Sequence, residues 1–176
     1  MKNNPNIIIY IFAGLLLLNL LYLWGKSRFS ESLIPGEPAP SFDLAIVNGK
    51  LGERKRLEGL KGRVVILDFW STSCPACLKG LSILKKLYSK YHQRGVEIIG
   101  VNVEGAKESF IRDFSHSFDI RFPLAIDRDL KLAERYKVNS LPFTFIIDKN
   151  GIIRYTHQGL YPYNVYEEEI KLLLNE

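Results

Sequence analysis

The chain is poor in cysteine: it contains two, Cys74 and Cys77, in 176 residues. A pair with C-x-x-C spacing cannot form the framework of several disulfides that staples small secreted domains. It can form one local disulfide, half of a four-cysteine zinc site, or a redox couple. Structural zinc needs four Cys or His ligands at recognisable spacing, and His92, His116 and His157 are scattered. The scarcity of ligands argues against zinc and favours disulfide chemistry.

A strong net charge is also absent from most of the chain. The formal net charge is +5, and the first 29 residues, which contain no Asp or Glu, carry Lys2, Lys26 and Arg28. Subtracting these three charges leaves +2 for the remainder, which is too little for a nucleic-acid surface. We therefore expect no nucleic-acid partner.

One long hydrophobic run is present, at residues 7–24, in which Asn19 is the only strongly polar side chain. Its length corresponds to roughly 27 Å of helix, about the hydrocarbon thickness of a bilayer. Tyr10, Tyr22 and Trp24 lie near its ends, as interfacial aromatic residues do. These features predict a transmembrane anchor. A cleaved signal peptide and a buried core helix are the alternatives, although no clear A-x-A-like cleavage site follows.

The anchor divides the chain into four parts. We predict an N-terminal tail at residues 1–6, the anchor at 7–24, a linker at 25–40 and one globular domain at 41–176. The linker is polar and contains three prolines, which is typical of a tether.

The globular part alternates strand-like and helix-like segments. Residues 64–69 and 96–103 are apolar runs typical of buried strands, and helical apolar spacing over residues 75–92 joins them. Two parallel strands need such a crossover, so these segments predict a βαβ unit. Asn48-Gly49 predicts the turn of a small opening hairpin, and Asn150-Gly151 predicts a later hairpin.

Further elements follow in the second half of the chain. Apolar spacing predicts helices over residues 108–118 and 130–136, with a short apolar run at 122–126 between them. A last helix follows Asn164, because Glu167 three residues later resembles the second half of a capping box.

The position of the cysteine pair predicts its chemistry. Cys74 lies where the buried strand gives way to a helix, and a helix N-terminus favours negative charge. Such a site lowers a thiol pKa from about 8.5 towards neutrality or below. The thiolate is the nucleophile of disulfide exchange, and a second thiol within reach can resolve the mixed disulfide.

Three motifs together resemble the thioredoxin superfamily, from about Pro35 to the C-terminus. They are Asp68-Phe69-Trp70 at the end of a strand, the following C-x-x-C, and Leu141-Pro142-Phe143-Thr144 before a hairpin. The resemblance implies an α/β fold with a central mixed sheet flanked by helices, an N-terminal hairpin and a central insertion. With the preceding transmembrane helix, the chain is similar to the membrane-tethered, extracytoplasmic thiol-disulfide oxidoreductases of the redoxin and cytochrome c biogenesis group. Some of these reduce apocytochrome c.

The resemblance also implies catalytic roles. Cys74 is expected to be the nucleophile and Cys77 the buried resolving thiol, with their redox-active disulfide in place of any cofactor. Asp68 matches the buried carboxylate of thioredoxins, whose raised pKa suits proton exchange with the resolving thiol. A hydrogen-bonded structural role is the alternative for Asp68. The implied partners are protein disulfides, a membrane electron donor and the lipid bilayer, with the catalytic domain on the periplasmic or extracytoplasmic side of the cytoplasmic membrane.

Substrate contacts are implied at four positions. Pro142 is expected to be a cis-proline, and the backbone beside it, at Leu141, is expected to pair with the substrate as an added strand. Trp70 and Pro75 flank the cysteine motif. Core packing is the alternative role for Trp70.

Departures from the family pattern affect the specificity and the redox potential. Ser73 stands where thioredoxins usually have tryptophan. Gly80 and Ser82 replace the Glu and Pro that often occur in members serving cytochrome c assembly. Pro75-Ala76 between the cysteines matches neither the reducing nor the strongly oxidising members, so the motif does not predict a potential.

Two other functions remain open at the level of sequence. A peroxiredoxin-like peroxidase is one, although its P-x-x-x-T-x-x-C setting is not met, because Thr72 lies two residues before Cys74. A copper metallochaperone is the other, in which Cys74, Cys77 and His157 hold Cu(I).

Overall fold

The structure is a computed structural model that describes residues 14–20 and 33–176. Residues 14–20 are helical and belong to a unit separate from the one that contains residues 33–176. Most of the predicted anchor at residues 7–24, the tail at 1–6 and the first half of the linker lie outside the described residues. Within the described ranges, no helix is both long and apolar enough to span a bilayer.

Within residues 33–176, seven strands form two sheets. The two strands of the small antiparallel sheet are β1 (Asp43–Ala45) and β2 (Arg54–Arg56). The strands of the main sheet are β3 (Val64–Trp70), β4 (Val96–Asn102), β5 (Leu124–Ile126), β6 (Phe143–Ile147) and β7 (Ile153–Gln158). Their order is β5-β4-β3-β6-β7, with β3, β4 and β5 parallel and with β6 antiparallel to both β3 and β7.

Four helices complete the domain. They are α1 (Pro75–Tyr91), α2 (Glu108–Ser117), α3 (Lys131–Arg135) and α4 (Tyr163–Leu174), with short 3-10 turns at Leu57–Leu60 and His92–Arg94. The predicted mixed α/β sheet with flanking helices is confirmed, as is the parallel β3-α1-β4 unit.

The central strand β3 separates two hydrophobic cores. Successive side chains of a strand point to opposite faces. Ile66 and Trp70 join the core that contains Cys77, α1 and α4. Leu67 and Phe69 join the other core, with β1 and α3. Burial on both faces explains why every residue of this strand is buried, and the alternation places Asp68 on the face of Cys77.

The predicted two-residue turn at Asn48-Gly49 is wrong, although the hairpin that it was meant to close exists. The loop between β1 and β2 covers residues 46–53. The side chain of Asn48 donates to the carbonyl of Phe122 at 2.9 Å and accepts from the N–H of Leu124 at 2.8 Å. The asparagine therefore ties the loop to the segment around β5 instead of forming a tight turn.

The predicted capping box at Asn164 and Glu167 is also wrong. Helix α4 begins at Tyr163, and its N-cap residue Pro162 makes no side-chain capping bond. The carboxylate of Glu167 instead accepts from the Tyr91 hydroxyl at 2.9 Å. The glutamate thus joins α4 to α1.

Candidate active site

The cysteine pair lies where β3 leads into α1. Cys74 is the N-cap residue of α1, and Pro75 opens the first turn, where a missing N–H costs nothing. The Cys74 sulfur accepts from the Cys77 N–H at 3.2 Å. The predicted placement of the first cysteine at a helix N-terminus is confirmed.

The two sulfurs differ in accessibility. Cys74 and Cys77 form a disulfide, with their Cα atoms 5.2 Å apart. Cys77 is 0% exposed, whereas Cys74 is half-buried. An external thiol or disulfide can therefore reach only Cys74, and Cys77 can react only with Cys74.

Asp68 is a buried carboxyl group behind this pair, with 3% of its surface exposed. Burial raises its pKa from 3.8 to about 7, against the opposing effect of the Thr144 hydroxyl, which donates to Oδ1 at 2.8 Å. Within the described residues, Oδ2 has no hydrogen-bond partner. A carboxyl group that titrates near pH 7 can hold or release a proton under physiological conditions.

A short polar chain continues from Asp68 into α4. The Thr144 hydroxyl lies 3.2 Å from the Tyr166 hydroxyl, and both side chains are buried. Since Thr144 uses its one proton on Asp68, the Tyr166 hydroxyl must donate to Thr144. The orientation of Asp68 is therefore fixed from β6 and α4 together.

The Leu141–Pro142 peptide bond is cis. The Pro142 carbonyl accepts from the Gly159 N–H at 2.8 Å. In contrast, the backbone N–H and C=O of Leu141 make no hydrogen bond within the described residues. This free backbone is what an added substrate strand would pair with.

The other two predicted substrate contacts differ from each other. Pro75 is exposed beside the disulfide. Trp70 is 0% exposed, and its ring packs 5.3 Å from the ring of Phe114. A Cβ at Gly100 would lie 3.1 Å from the Trp70 indole nitrogen, so glycine allows the ring to fit. Trp70 thus packs the core and does not reach a substrate.

The structure does not bring His157 to the cysteines as a third metal ligand. The His157 Nε2 lies 2.7 Å from a carboxylate oxygen of Glu169, and its ring packs on Tyr161. In residues 14–20 and 33–176, no group of three His, Cys, Asp or Glu side chains could hold a metal ion.

Glu104, which no sequence motif indicated, also belongs to the site. It follows β4 and accepts from the Ser71 hydroxyl at 2.6 Å and from the Thr72 N–H at 3.0 Å. Burial opposes ionisation of Glu104, but bonds from Ser71, Asn102 and Thr72 outweigh it and lower the pKa to about 2. The available signal was topological: β3 and β4 are parallel, so the residues that follow them meet at one sheet edge.

Comparisons with known proteins agree with this geometry. The AhpC/TSA family pattern matches residues 35–156. The thiol-disulfide oxidoreductase ResA of Bacillus cereus (strain ZK / E33L) is 38% identical over 121 residues, which are 69% of this chain and 68% of that protein.

Two solved structures share the fold. A crystal structure described as thiol:disulfide interchange protein DsbE, from Chlorobium tepidum, has 30% identity and a TM-score of 0.72, over 81% of this chain and 99% of that one. The exposed lipoprotein thioredoxin Etrx1 of Streptococcus pneumoniae has 28% identity and a TM-score of 0.65, over 76% and 100%. The chain therefore belongs to the AhpC/TSA family and is a thioredoxin-fold thiol-disulfide oxidoreductase with a Cys74–Cys77 disulfide.

Proposed function

We propose that this protein is a membrane-anchored enzyme that reduces disulfides of extracytoplasmic proteins through Cys74 and Cys77. The observation that carries the proposal is the unequal exposure of the two sulfurs, with Cys74 half-buried at a helix N-terminus and Cys77 enclosed. This arrangement supplies one accessible nucleophile and one resolving thiol that no substrate can reach.

The reaction runs in two exchange steps. The Cys74 thiolate attacks one sulfur of the substrate disulfide, which forms a mixed disulfide and releases the other sulfur as a thiolate. The Cys77 thiolate then attacks the Cys74 sulfur and releases the second substrate sulfur. The substrate gains two electrons and two protons, and the enzyme retains the Cys74–Cys77 disulfide.

Asp68 is proposed to accept the proton of Cys77 before the second step. Asp68 is buried on the face of β3 that packs against the core containing Cys77, and burial raises the pKa of its carboxyl group to about 7. A base that is half ionised at the working pH combines availability with a driving force for proton transfer. The reducing direction then requires a membrane electron donor that converts the disulfide back to two thiols.

The proposed domain arrangement follows from the hydrophobic run. Residues 1–6 form a tail, 7–24 a single-pass anchor in the lipid bilayer, 25–40 a linker and 41–176 the catalytic domain. We place that domain on the periplasmic or extracytoplasmic side of the cytoplasmic membrane. The name of the pneumococcal relative, an exposed lipoprotein, supports this side.

The proposed substrate contact is backbone pairing at Leu141, beside the cis-proline Pro142, with Pro75 on the exposed rim. Apocytochrome c disulfides are the narrower substrate proposal. Gly80 departs from the glutamate that members serving cytochrome c assembly often carry at this position, so this residue does not itself support that substrate.

The test is a trapping experiment with the full chain. Cys77→Ser should accumulate a mixed disulfide between Cys74 and a substrate, because the second exchange step is blocked. Cys74→Ser is the matched control and should trap nothing. The wild type should reduce insulin disulfides faster than it consumes peroxide. Absence of any adduct in Cys77→Ser, together with peroxide consumption as the faster reaction, would overturn the proposal in favour of a peroxidase.

A further inference from the structure

The loop that carries the nucleophile is anchored to a carboxylate from a neighbouring strand end. Glu104 accepts from Ser71 Oγ at 2.6 Å, from the Thr72 N–H at 3.0 Å and from Asn102 Nδ2 at 2.9 Å. Ser71 itself is buried, and its carbonyl accepts from the Cys74 N–H at 3.3 Å. Ser71 therefore links the Glu104 carboxylate to the Cys74 backbone, because its hydroxyl donates to Glu104 and its carbonyl accepts from the Cys74 N–H.

The hydroxyl protons of this network have one consistent arrangement. Ser71 Oγ lies 2.7 Å from Ser73 Oγ and accepts from the Ser73 N–H at 3.1 Å. An ionised carboxylate only accepts, so Ser71 spends its single proton on Glu104. Ser73 must then donate its own proton to Ser71. Both hydroxyl protons are consequently used along the network that leads to Glu104, and neither is donated to Cys74.

Hydrogen bonds to a thiolate and nearby positive charge are what lower a thiol pKa, and nearby negative charge raises it. The network withholds the Ser73 hydroxyl from Cys74, and the Glu104 charge disfavours a second negative charge beside it. Both effects oppose that of the helix N-terminus. Destabilising the Cys74 thiolate also destabilises the reduced form of the Cys74–Cys77 couple. The withheld hydroxyl and the Glu104 charge therefore make the couple a stronger reductant.

We propose that Glu104 is a positioning residue that orients Ser71 and Ser73 away from Cys74 and shifts the Cys74–Cys77 couple towards the reducing side. The proposal rests on the proposed function and explains the serine at position 73, where thioredoxins usually have tryptophan. It assigns to Glu104 a control of the nucleophile that acts through other residues and touches no substrate.

The charged groups around Glu104 leave its charge uncompensated. Within the described residues, no Lys, Arg or His nitrogen lies within 4 Å of its carboxylate. From the loop that follows β3 it faces the neutral Ser71 and Thr72. From β4 it faces the neutral Asn102. On its own segment, Glu108 pairs with Arg128 at 3.1 Å.

The experiment measures the pH profile of Cys74 alkylation by iodoacetamide in full chains that carry Cys77→Ser, so that one thiol titrates. Glu104→Gln removes the charge at nearly constant shape, and the midpoint should fall by about half a unit, as for one partly screened charge. Glu108→Gln is the matched control, an exposed carboxylate on the same segment, and it should leave the midpoint unchanged.

The native pair gives a second measurement of the same effect. In Glu104→Gln with both cysteines, the equilibrium with glutathione at about pH 9 should shift about threefold towards the dithiol, which equals about 14 mV for a two-electron couple. If the role of Glu104 were purely structural, Glu104→Gln would lower thermal stability and leave the alkylation midpoint and the glutathione equilibrium unchanged.

A further variant tests the proton arrangement without changing Glu104. Ser71→Ala removes the acceptor of the Ser73 hydroxyl, which then becomes free to donate to Cys74, so the midpoint should again fall. An unchanged or raised midpoint in Glu104→Gln and Ser71→Ala, or an equal fall in Glu108→Gln, overturns the proposal. These outcomes do not depend on turnover, and failure of the proposed function would instead show as absent insulin reduction by the wild type.

Discussion

Replacing Asp68 by Asn tests two consequences of burying a carboxyl group behind the disulfide. One is a pH-dependent loss of stability, and the other is a proton acceptor for Cys77. The side chain is 3% exposed, and its pKa rises from 3.8 to about 7 because burial disfavours the ionised form. The folded protein thus binds this proton more tightly than the unfolded chain does. Stability is therefore lost as pH rises, in the window from about 4 to about 7.

The magnitude follows from linkage. A shift of about three units corresponds to about 4 kcal/mol of unfolding free energy above both pKa values. Between about pH 4.5 and about pH 8, the wild type loses about 3 kcal/mol of unfolding free energy through this pKa shift. The amide introduced by Asp68→Asn would keep an acceptor for the Thr144 hydroxyl. Its unpaired N–H groups would lower the unfolding free energy by about 1–3 kcal/mol, independently of pH. That cost is the same at both pH values and cancels in the comparison.

The assay is urea unfolding of wild type and Asp68→Asn, both oxidised, at the two pH values. The variant should gain about 3 kcal/mol relative to wild type on going from the lower to the higher pH. Its insulin reduction at neutral pH should fall at least about tenfold, because Cys77 loses its proton acceptor. A difference in stability that is the same at both pH values would refute the reasoning about Asp68.

Two further perturbations follow from the same core. Thr144→Val removes the hydroxyl that donates to Asp68, so the acidic midpoint of insulin reduction against pH should rise by about one unit; an unchanged midpoint contradicts that role. Gly100→Ala places a Cβ 2.7 Å from Leu124 and 3.1 Å from the Trp70 indole nitrogen, and should cost about 1–3 kcal/mol in thermal unfolding. Gly59→Ala, whose Cβ would meet nothing within 4 Å, is its control, and equal losses in the two variants would show that overpacking is not the cause.

Local sequence signals predicted the elements that hold the cysteines. The expected segments at 64–69, 75–92 and 96–103 differ by one residue at one end from β3, α1 and β4. Strands buried on both faces have uninterrupted apolar sequences, and α1 has a regular apolar stripe. Such patterns depend on neighbours along the chain and are therefore visible before folding.

The predictions of the tight turn and the capping box were wrong because each side chain forms hydrogen bonds with residues that are distant in the sequence. Asn48 has the chemistry of a turn residue, but it binds Phe122 and Leu124, more than seventy residues later. Glu167 has the chemistry of a capping box, but Tyr91 in α1 provides its hydrogen bond. A sequence pattern contains no information on such competition.

The candidate site also contains residues that the local sequence predicts and one that only the fold brings to them. The C-x-x-C pair and the buried Asp68 lie within ten residues and were predictable together. Glu104 lies 33 positions after Ser71 and reaches it because parallel strands end at the same edge of the sheet. Its role becomes visible only when the hydrogen bonds of the nucleophile loop are known.

The reduction potential of Cys74–Cys77, measured by glutathione titration of the full chain, tests the central claim most directly. The account predicts a reductant, with a potential near about −270 mV, the thioredoxin value. A potential near about −120 mV, at the strongly oxidising end of this fold, would contradict the reducing direction and make the protein a disulfide donor.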